Sequence, residues 1–393
     1  MAERPASSGS IINDPQFRAV LYQLIMAALL IYMGWSIVQN TIANMEERGI
    51  RAGFGFLDET AGFSITMSLV PYEPGDTYGR VFLVGLLNTL LVAGTGVVLA
   101  TLVGFLVGVM RLSQNWVVSR LATIYVELFR NVPLLLQILF WYTAVLKPLP
   151  GPRQAFERNS EVYFGVSNRG ITVPEYTLLD GFSFTTWALL LGVVVTFLIN
   201  RWAKARQEAT GEQFPVLLTG VGLVLVLPAA IFLLSGSPIE FSPAQMGRFN
   251  LAGGITIIPE FLAILLSLVL YTASFIAEIV RAGIQAVSHG QTEAARALGL
   301  RNGPTLRLVI IPQAMRIIIP PLTSQYLNLT KNSSLAAAIA YPDLVSTFAG
   351  TALNQNGQAL ETLAITMTVY LSLSLLTSAF MNWFNSQVAL VER

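Results

Sequence analysis

Long apolar runs alternate with polar segments along the chain, and the runs set the architecture. Eight stretches approach or exceed the roughly 18 to 20 residues that cross a bilayer as a helix. They are Arg18–Gln39, Arg80–Met110, Arg120–Leu146, Thr185–Asn200, Phe214–Leu234, Pro259–Val287, Pro312–Ile339 and Leu360–Val388. Helices are the expected spanning element, because hydrocarbon offers backbone amides and carbonyls no partners. The fourth run is short, and Arg316, Pro320, Pro321 and Lys331 break the seventh. The pattern predicts an all-α polytopic membrane protein. No internal repeat relates the two halves, which weakens the inverted-repeat layout of many secondary transporters.

Polar segments orient the runs. Asn40–Gly79 carries Glu46, Glu47, Asp58, Glu59, Glu73 and Asp76 against Arg48 and Arg51. Arg201, Lys204 and Arg206 follow the fourth run, and Arg296, Arg301 and Arg307 lie between the sixth and seventh. Positive charge favours the cytoplasmic side, so the acidic loop is expected outside and both termini inside. Lys147–Phe184 and Ser235–Ile258 are rich in Gly, Pro and Ser and are expected to be irregular external loops.

Composition agrees with the pattern. Of 393 residues only 11% are charged, less than half the share usual in soluble domains, and mean hydropathy is +0.62. The absence of cysteine excludes disulfides, thiolate metal sites and thiol nucleophiles. His289 is the single histidine and lies in a loop, so neither a metal site nor a catalytic set is expected. Met1–Phe17 is polar, and the run behind it (Val20–Val38) is longer than a signal h-region and lacks a small-x-small cleavage site. It reads as an uncleaved first span.

One soluble-looking stretch interrupts this chain, "SHGQTEAARALGLRNGPTLRLVIIP" from Ser288 to Pro312. Ser288 and Gln291 have capping-box spacing, and Gly299 stands where a left-handed residue would end the helix. The helix between them has about two and a half turns, too short to be stable alone in water. Glu293 near its start suits the helix dipole. Ala294, Ala295 and Leu298 are expected to form a small smooth patch, and "RNGP" a turn. Such a helix either lies on lipid headgroups or is presented to a protein groove; alanines permit close approach but bury little apolar area, which favours the groove.

These residues resemble the EAA loop of binding-protein-dependent ABC importer permeases: Glu293-Ala294-Ala295, Gly299 four residues on, then Val309-x-Ile311-Pro312. "AEIVRAGIQAVSHGQTEAARALGL", "PQAMRIIIPPL" and "YVELFRNVPLLLQ" are similar to the polar amino-acid uptake branch. Ser288 departs from it, standing where many relatives have proline. The resemblance covers about residues 80–146 and 259–388, the five-helix core of a type I ABC importer transmembrane domain. It implies four parts: an N-terminal span and external loop (1–79), the first part of the core (80–146), an insertion with two spans and external loops (147–258), and the second part of the core (259–393) with the coupling loop at 288–312.

The resemblance further implies that Glu293, Ala294, Ala295, Leu298, Gly299 and Pro312 couple the permease to a cytoplasmic ABC ATPase. The other implied partners are a second homologous permease subunit, a periplasmic amino-acid-binding protein and membrane lipid, in a bacterial inner membrane; no nucleic-acid partner is expected. The chain has no G-x-x-x-x-G-K-[ST], and its lysines are Lys147, Lys204 and Lys331. It cannot bind ATP by a P-loop, so no cofactor is expected on this chain, and ATP and Mg belong to the ATPase. The rival reading is an ion-coupled secondary amino-acid transporter.

Polar residues inside spans are functional suspects because charge in hydrocarbon costs about 2.5–3.5 kcal/mol on insertion scales. If the seventh span is continuous from Pro312, Lys331 lies about 28 Å along it and snorkels to the external interface. If Pro320-Pro321 ends an elbow, Lys331 falls at mid-membrane with Asn328, Asn332, Ser333 and Ser334, where it could bind an amino-acid carboxylate. Asn88, Thr89 and Gln137 could line a translocation path or bond helix to helix. Glu127 with Arg130, and Glu278 with Arg281, have the spacing of intrahelical ion pairs. Gly94, Gly96, Gly104 and Gly108 read as close packing.

Overall fold

The computed structural model describes residues 15–47, 53–156, 161–247 and 251–388. Arg48, Arg51 and both chain ends lie outside the described residues, and with them the expected terminal orientation. Among the described residues, seven helices are long and apolar enough to cross a membrane, or eight if a bent pair counts as one span. The long helices are α1 (Pro15–Glu47), α2 (Tyr78–Met110), the bent pair α3 (Trp116–Asn131) and α4 (Leu134–Leu146), α5 (Phe182–Thr210), α6 (Val216–Leu234) and α7 (Pro259–Gln285). The short helix α8 (His289–Ala297) follows, then α9 (Asn302–Ile339) and α10 (Ala359–Val388).

Three expected boundaries change. The third run is no straight span: α3 and α4 meet at a 104° bend. Proline supplies no amide and disfavours helical backbone in the residue before it, so Pro133 ends one helix and starts another. The fourth span runs to Thr210, ten residues past Asn200, carrying Arg201, Lys204 and Arg206 on helix rather than loop. The seventh starts at Asn302, where a turn was expected, and passes through Pro312, Pro320 and Pro321 without a break. Prolines are tolerated in membrane helices because neighbouring groups satisfy the freed backbone.

The chain forms two compact units, one of residues 1–123 and 275–393, the other Ile124–Ser274. In the first, the segment after α1 packs as a lid on the start of α2. Phe56, Ala61, Tyr78 and Val81 form one buried cluster with Leu344, Phe348 and Ala352. The Phe56 ring lies 6.2 Å from Tyr78 and 6.1 Å from Phe348. Arg80 donates from Nε to the carbonyl of Pro71 at 3.0 Å, and Glu361 Oε1 accepts the amide of Gly53 at 2.7 Å. The glycines of α2 are partly as expected. A Cβ at Gly96 or Gly108 would press on Leu329 or Val280, while Gly94 faces open space.

In the second unit the two segments expected to be irregular fold together. From the first come β1 (Glu161–Val162), β2 (Gly165–Ser167), β3 (Gly170–Val173) and β4 (Glu175–Leu178); from the second, β5 (Ile239–Ser242), β6 (Ala244–Met246), β7 (Leu251–Ala252) and β8 (Ile255–Ile257). The sheets are ordered β1-β6-β7, β2-β3-β8 and β4-β5, all antiparallel, so each joins one segment to the other. Phe156, Val162 and Ala244 fill a small core. The helical expectation holds for the spans; the addition is this β cap, closed over the hairpin of α5 and α6. Strands this short carry too little alternation to be read from sequence.

Candidate functional site

Two places bring candidate residues together, and both lie in the first unit. The first is α8. Its N-terminus lacks the expected capping box: Ser288 makes no side-chain cap, and the turn is closed by the Gln291 amide donating to the Ser288 carbonyl at 3.0 Å. Gln291 instead reaches across, its Oε1 accepting from Gln313 Nε2 of α9 at 3.2 Å. The C-terminus is as expected. Gly299 has φ +78°, its amide donates to Arg296 at 2.9 Å, and the Leu300 amide donates to Ala295 at 3.0 Å. That pair of bonds is a Schellman motif.

The patch divides. Ala294 and Leu298, four apart, share an exposed face, and Leu298 is 82% exposed. Ala295 is rotated by one residue, about 100°, and is buried as α8 packs against the 306–310 stretch of α9. Glu293 is exposed and bonds His289 Nδ1 at 3.1 Å. Pro312 sits on an exposed face of α9. Only three residues join α7 to α8 and four join α8 to α9, so α8 is held close to both.

The second place is a groove of about 530 Å³ between α9, α10 and the short π-helix Val345–Ala352. Lys331, Ser334, Thr366, Tyr370 and Ser374 supply its polar lining. The first expected position of Lys331 requires a continuous seventh span. α9 is continuous, yet it is 38 residues long, and Pro312 lies well inside it. Thr366, Tyr370 and Ser374 lie about 10, 16 and 22 Å along α10 from Ala359, and Lys331 shares their groove. Ser334 Oγ donates to the Lys331 carbonyl at 2.7 Å, and Ser333 is buried with its Oγ donating to Thr330 at 2.8 Å. Asn328 is exposed and Asn332 half-buried, and neither lines this groove.

Sequence reasoning missed Thr366, Tyr370 and Ser374. Their spacing of four places them on one helix face, and this was the available signal. It also missed Asp343, buried behind the groove, whose Oδ1 accepts the Ser346 amide at 2.8 Å and so caps the following helix.

Asn88 and Thr89 are buried against backbone partners, while Gln137 lines a cavity of about 470 Å³ with Phe129 and Trp141. Asn88 is fully buried, and its Nδ2 donates to the carbonyls of Met67 (2.9 Å) and Pro342 (2.8 Å). Thr89 Oγ1 donates to Gly85 at 2.9 Å and accepts the Leu344 amide at 3.0 Å. These two side chains clamp residues 342–344 to α2. In the other unit, Gln137 Nε2 donates to the carbonyls of Phe129 (3.0 Å) and Val132 (2.9 Å), satisfying the end of α3 at the bend. Glu278 pairs with Arg281 as expected, and also with Arg111 beyond the end of α2. Glu127 accepts from Asn131 Nδ2 at 3.3 Å.

A family model for binding-protein-dependent transport system inner membrane components matches residues 100–390. The chain is 50% identical to the general L-amino acid transport system permease protein AapQ of Rhizobium johnstonii, over 98% of this chain and 95% of that one. It is 51% identical to the putative amino-acid ABC transporter permease protein YhdX of Escherichia coli, over 99% of each. It is 41% identical to the glutamate/glutamine/aspartate/asparagine transport system permease protein BztB of Rhodobacter capsulatus, over the full length of both.

Proposed function

The chain belongs to the family of binding-protein-dependent transport system inner membrane components, and from that premise we propose how it works as the multi-pass permease subunit of an amino-acid ABC importer. The ion-coupled rival is set aside, since the relatives sharing 41–51% of its residues over their whole length are amino-acid permeases, two from named transport systems and one a putative ABC transporter permease. Its solute is an amino acid delivered by a binding protein, its energy comes from ATP hydrolysed with Mg on separate ATPase subunits, and a second permease subunit completes the path. Both termini face the cytoplasm, on the side of α8.

The observation that carries the coupling role is the build of α8. It is rigid because a Schellman motif ends it, its Ala294 and Leu298 are exposed for a partner, and short joints tie it to α7 and α9. An ATPase cleft that closes on α8 displaces both helices together. Because α9 is unbroken from Asn302 to Ile339, the displacement travels about 44 Å along one rod to Lys331. There the groove changes shape, alternately open to each side. Lys331 pairs with the solute carboxylate; Ser334, Thr366 and Tyr370 supply hydroxyls. Lys331 is exposed along the groove wall, and a cation facing hydrocarbon is costly unless it is paired, which gives the anionic end of an amino acid its place.

The test is uptake of radiolabelled amino acids by vesicles holding the permease subunits, ATPase and binding protein. Uptake is expected to require internal ATP and to be unaffected by collapsing ion gradients. Lys331→Ala is expected to lower uptake at least tenfold with the complex still assembled, and Lys331→Arg to restore part of it. Unchanged transport kinetics in Lys331→Ala would remove the groove from the path while leaving the coupling role standing.

A further inference from the structure

The insertion carries a feature that the importer reading does not use. α5 and α6 pack backbone to backbone: a Cβ at Gly192 would come within 2.1 Å of the Leu223 carbonyl oxygen, and one at Gly220 within 2.9 Å of Thr196 Cγ2. Beside that contact a groove of about 800 Å³ opens along the hairpin. Val193, Phe197 and Asn200 of α5 face Leu217, Val221 and Leu225 of α6 across it. The walls are apolar and outward-facing, Leu217 being 79% exposed.

Charge closes one end. Residues three and four apart share a helix face, so Arg201 lies one turn beyond Phe197 and Lys204 one turn beyond Asn200, in line with the groove. The Arg201 guanidinium sits 6.0 Å from the centroid of the Phe197 ring, which holds it at the rim. Arg206, by contrast, is already engaged: it lies over Trp202 at 5.3 Å and pairs with Glu212. Among the described residues neither Arg201 nor Lys204 has a carboxylate partner, and Glu208, one turn past Lys204, makes no ion pair with it. An apolar trough at membrane depth that ends in two unneutralised cations matches an amphiphile with an apolar tail and an anionic head.

We propose that the hairpin of α5 and α6 is a binding site for an anionic phospholipid, its acyl chain lying between Phe197 and Leu217 and its phosphate held by Arg201 and Lys204. A free phosphate has nothing to fill the apolar trough. A zwitterionic lipid carries its own ammonium and has no net charge to set against the two cations. Basic pockets between membrane helices recognise anionic headgroups by this combination of charge and apolar surface, and long basic side chains reach the interface while their stems cover apolar surface.

The chain has no cysteine, which permits a direct test in the assembled transporter. Leu217→Cys is labelled with a small fluorophore and placed in nanodiscs containing either phosphatidylglycerol or phosphatidylcholine brominated on the acyl chain. Brominated phosphatidylglycerol is expected to quench at a mole fraction about 25-fold lower than phosphatidylcholine, about fivefold for each cation. Arg201→Gln with Lys204→Gln is expected to abolish that preference. Equal quenching by the two lipids would reduce the groove to ordinary lipid contact. No quenching by either would mean that protein, such as the second permease subunit, fills it; both results overturn the proposal. Val221→Cys reports on the same groove should Leu217→Cys fail to assemble.

Discussion

α8 and the clamp on residues 342–344 are both small polar devices in an apolar protein, and they are encoded in opposite ways. The turns that open and end α8 each close within five residues: the Gln291–Ser288 turn, and the Gly299 and Leu300 amides turning back onto Arg296 and Ala295. The clamp joins positions more than 250 residues apart, Asn88 to Pro342 and Thr89 to Leu344. One device is local and exposed, the other long-range and fully buried. The difference teaches where stability and coupling reside. A local motif can fail and leave the fold standing, whereas a buried clamp cannot.

The sharpest break of that contrast is Asn88→Leu. The substitution removes two hydrogen bonds and leaves the buried carbonyl of Pro342 and the partly buried one of Met67 without their donor. Each lost bond is worth about 1 kcal/mol, and a buried group left unsatisfied costs about 1–3 kcal/mol. The expected destabilisation is about 2–4 kcal/mol, read as a lowered unfolding midpoint of the purified complex and reduced yield of assembled transporter. A midpoint equal to that of the parent would mean that the lid and the 342–344 segment are held by apolar packing alone.

Gly299→Val comes next and acts differently. Nothing lies within 4 Å of a Cβ at Gly299, so the cost is backbone strain at φ +78° and not collision. Left-handed backbone costs an ordinary residue about 1–2 kcal/mol and a β-branched one more. The fold is expected to hold, because the strain is confined to an exposed helix end. Stimulation of ATP hydrolysis by loaded binding protein is expected to fall severalfold, and Gly299→Asn to retain more of it, since asparagine tolerates this conformation. Full stimulation in Gly299→Val would show that the helix end need not be rigid.

The same division between local and long-range governs what could be read from the sequence. The long apolar runs, the glycine end of α8 and the Glu278–Arg281 pair follow from spacing within a turn or two, and all three are present. The bend at Pro133 was signalled by a residue that ends helices, yet continuous hydrophobicity on both sides hid it. Pro320 and Pro321 gave the opposite error, suggesting a break where packed neighbours keep α9 whole. The β cap joins segments about 80 residues apart with strands of two to four residues, too short to leave a periodic trace. Asn88, Thr89 and Gln137 were rightly marked as unusual in their spans. Their partners are backbone carbonyls and amides elsewhere in the chain, and no side-chain pattern announces those.

Glu293→Gln has the smallest expected effect on the fold and discriminates best between the two kinds of device. Glu293 is exposed and, among the described residues, bonds only His289, four residues back, at 3.1 Å. Exposed pairs of this kind contribute about 0.3–0.5 kcal/mol, and interaction with the helix dipole adds a similar amount. The unfolding midpoint should therefore be unchanged within error. If α8 serves the fold alone, ATPase coupling should be unchanged as well. If α8 is a docking knob, removing a negative charge from its exposed face weakens contact with the partner, and coupling falls while the midpoint stays. A parallel loss of both would instead place Glu293 among the groups that hold the permease together, erasing the distinction between α8 and the clamp.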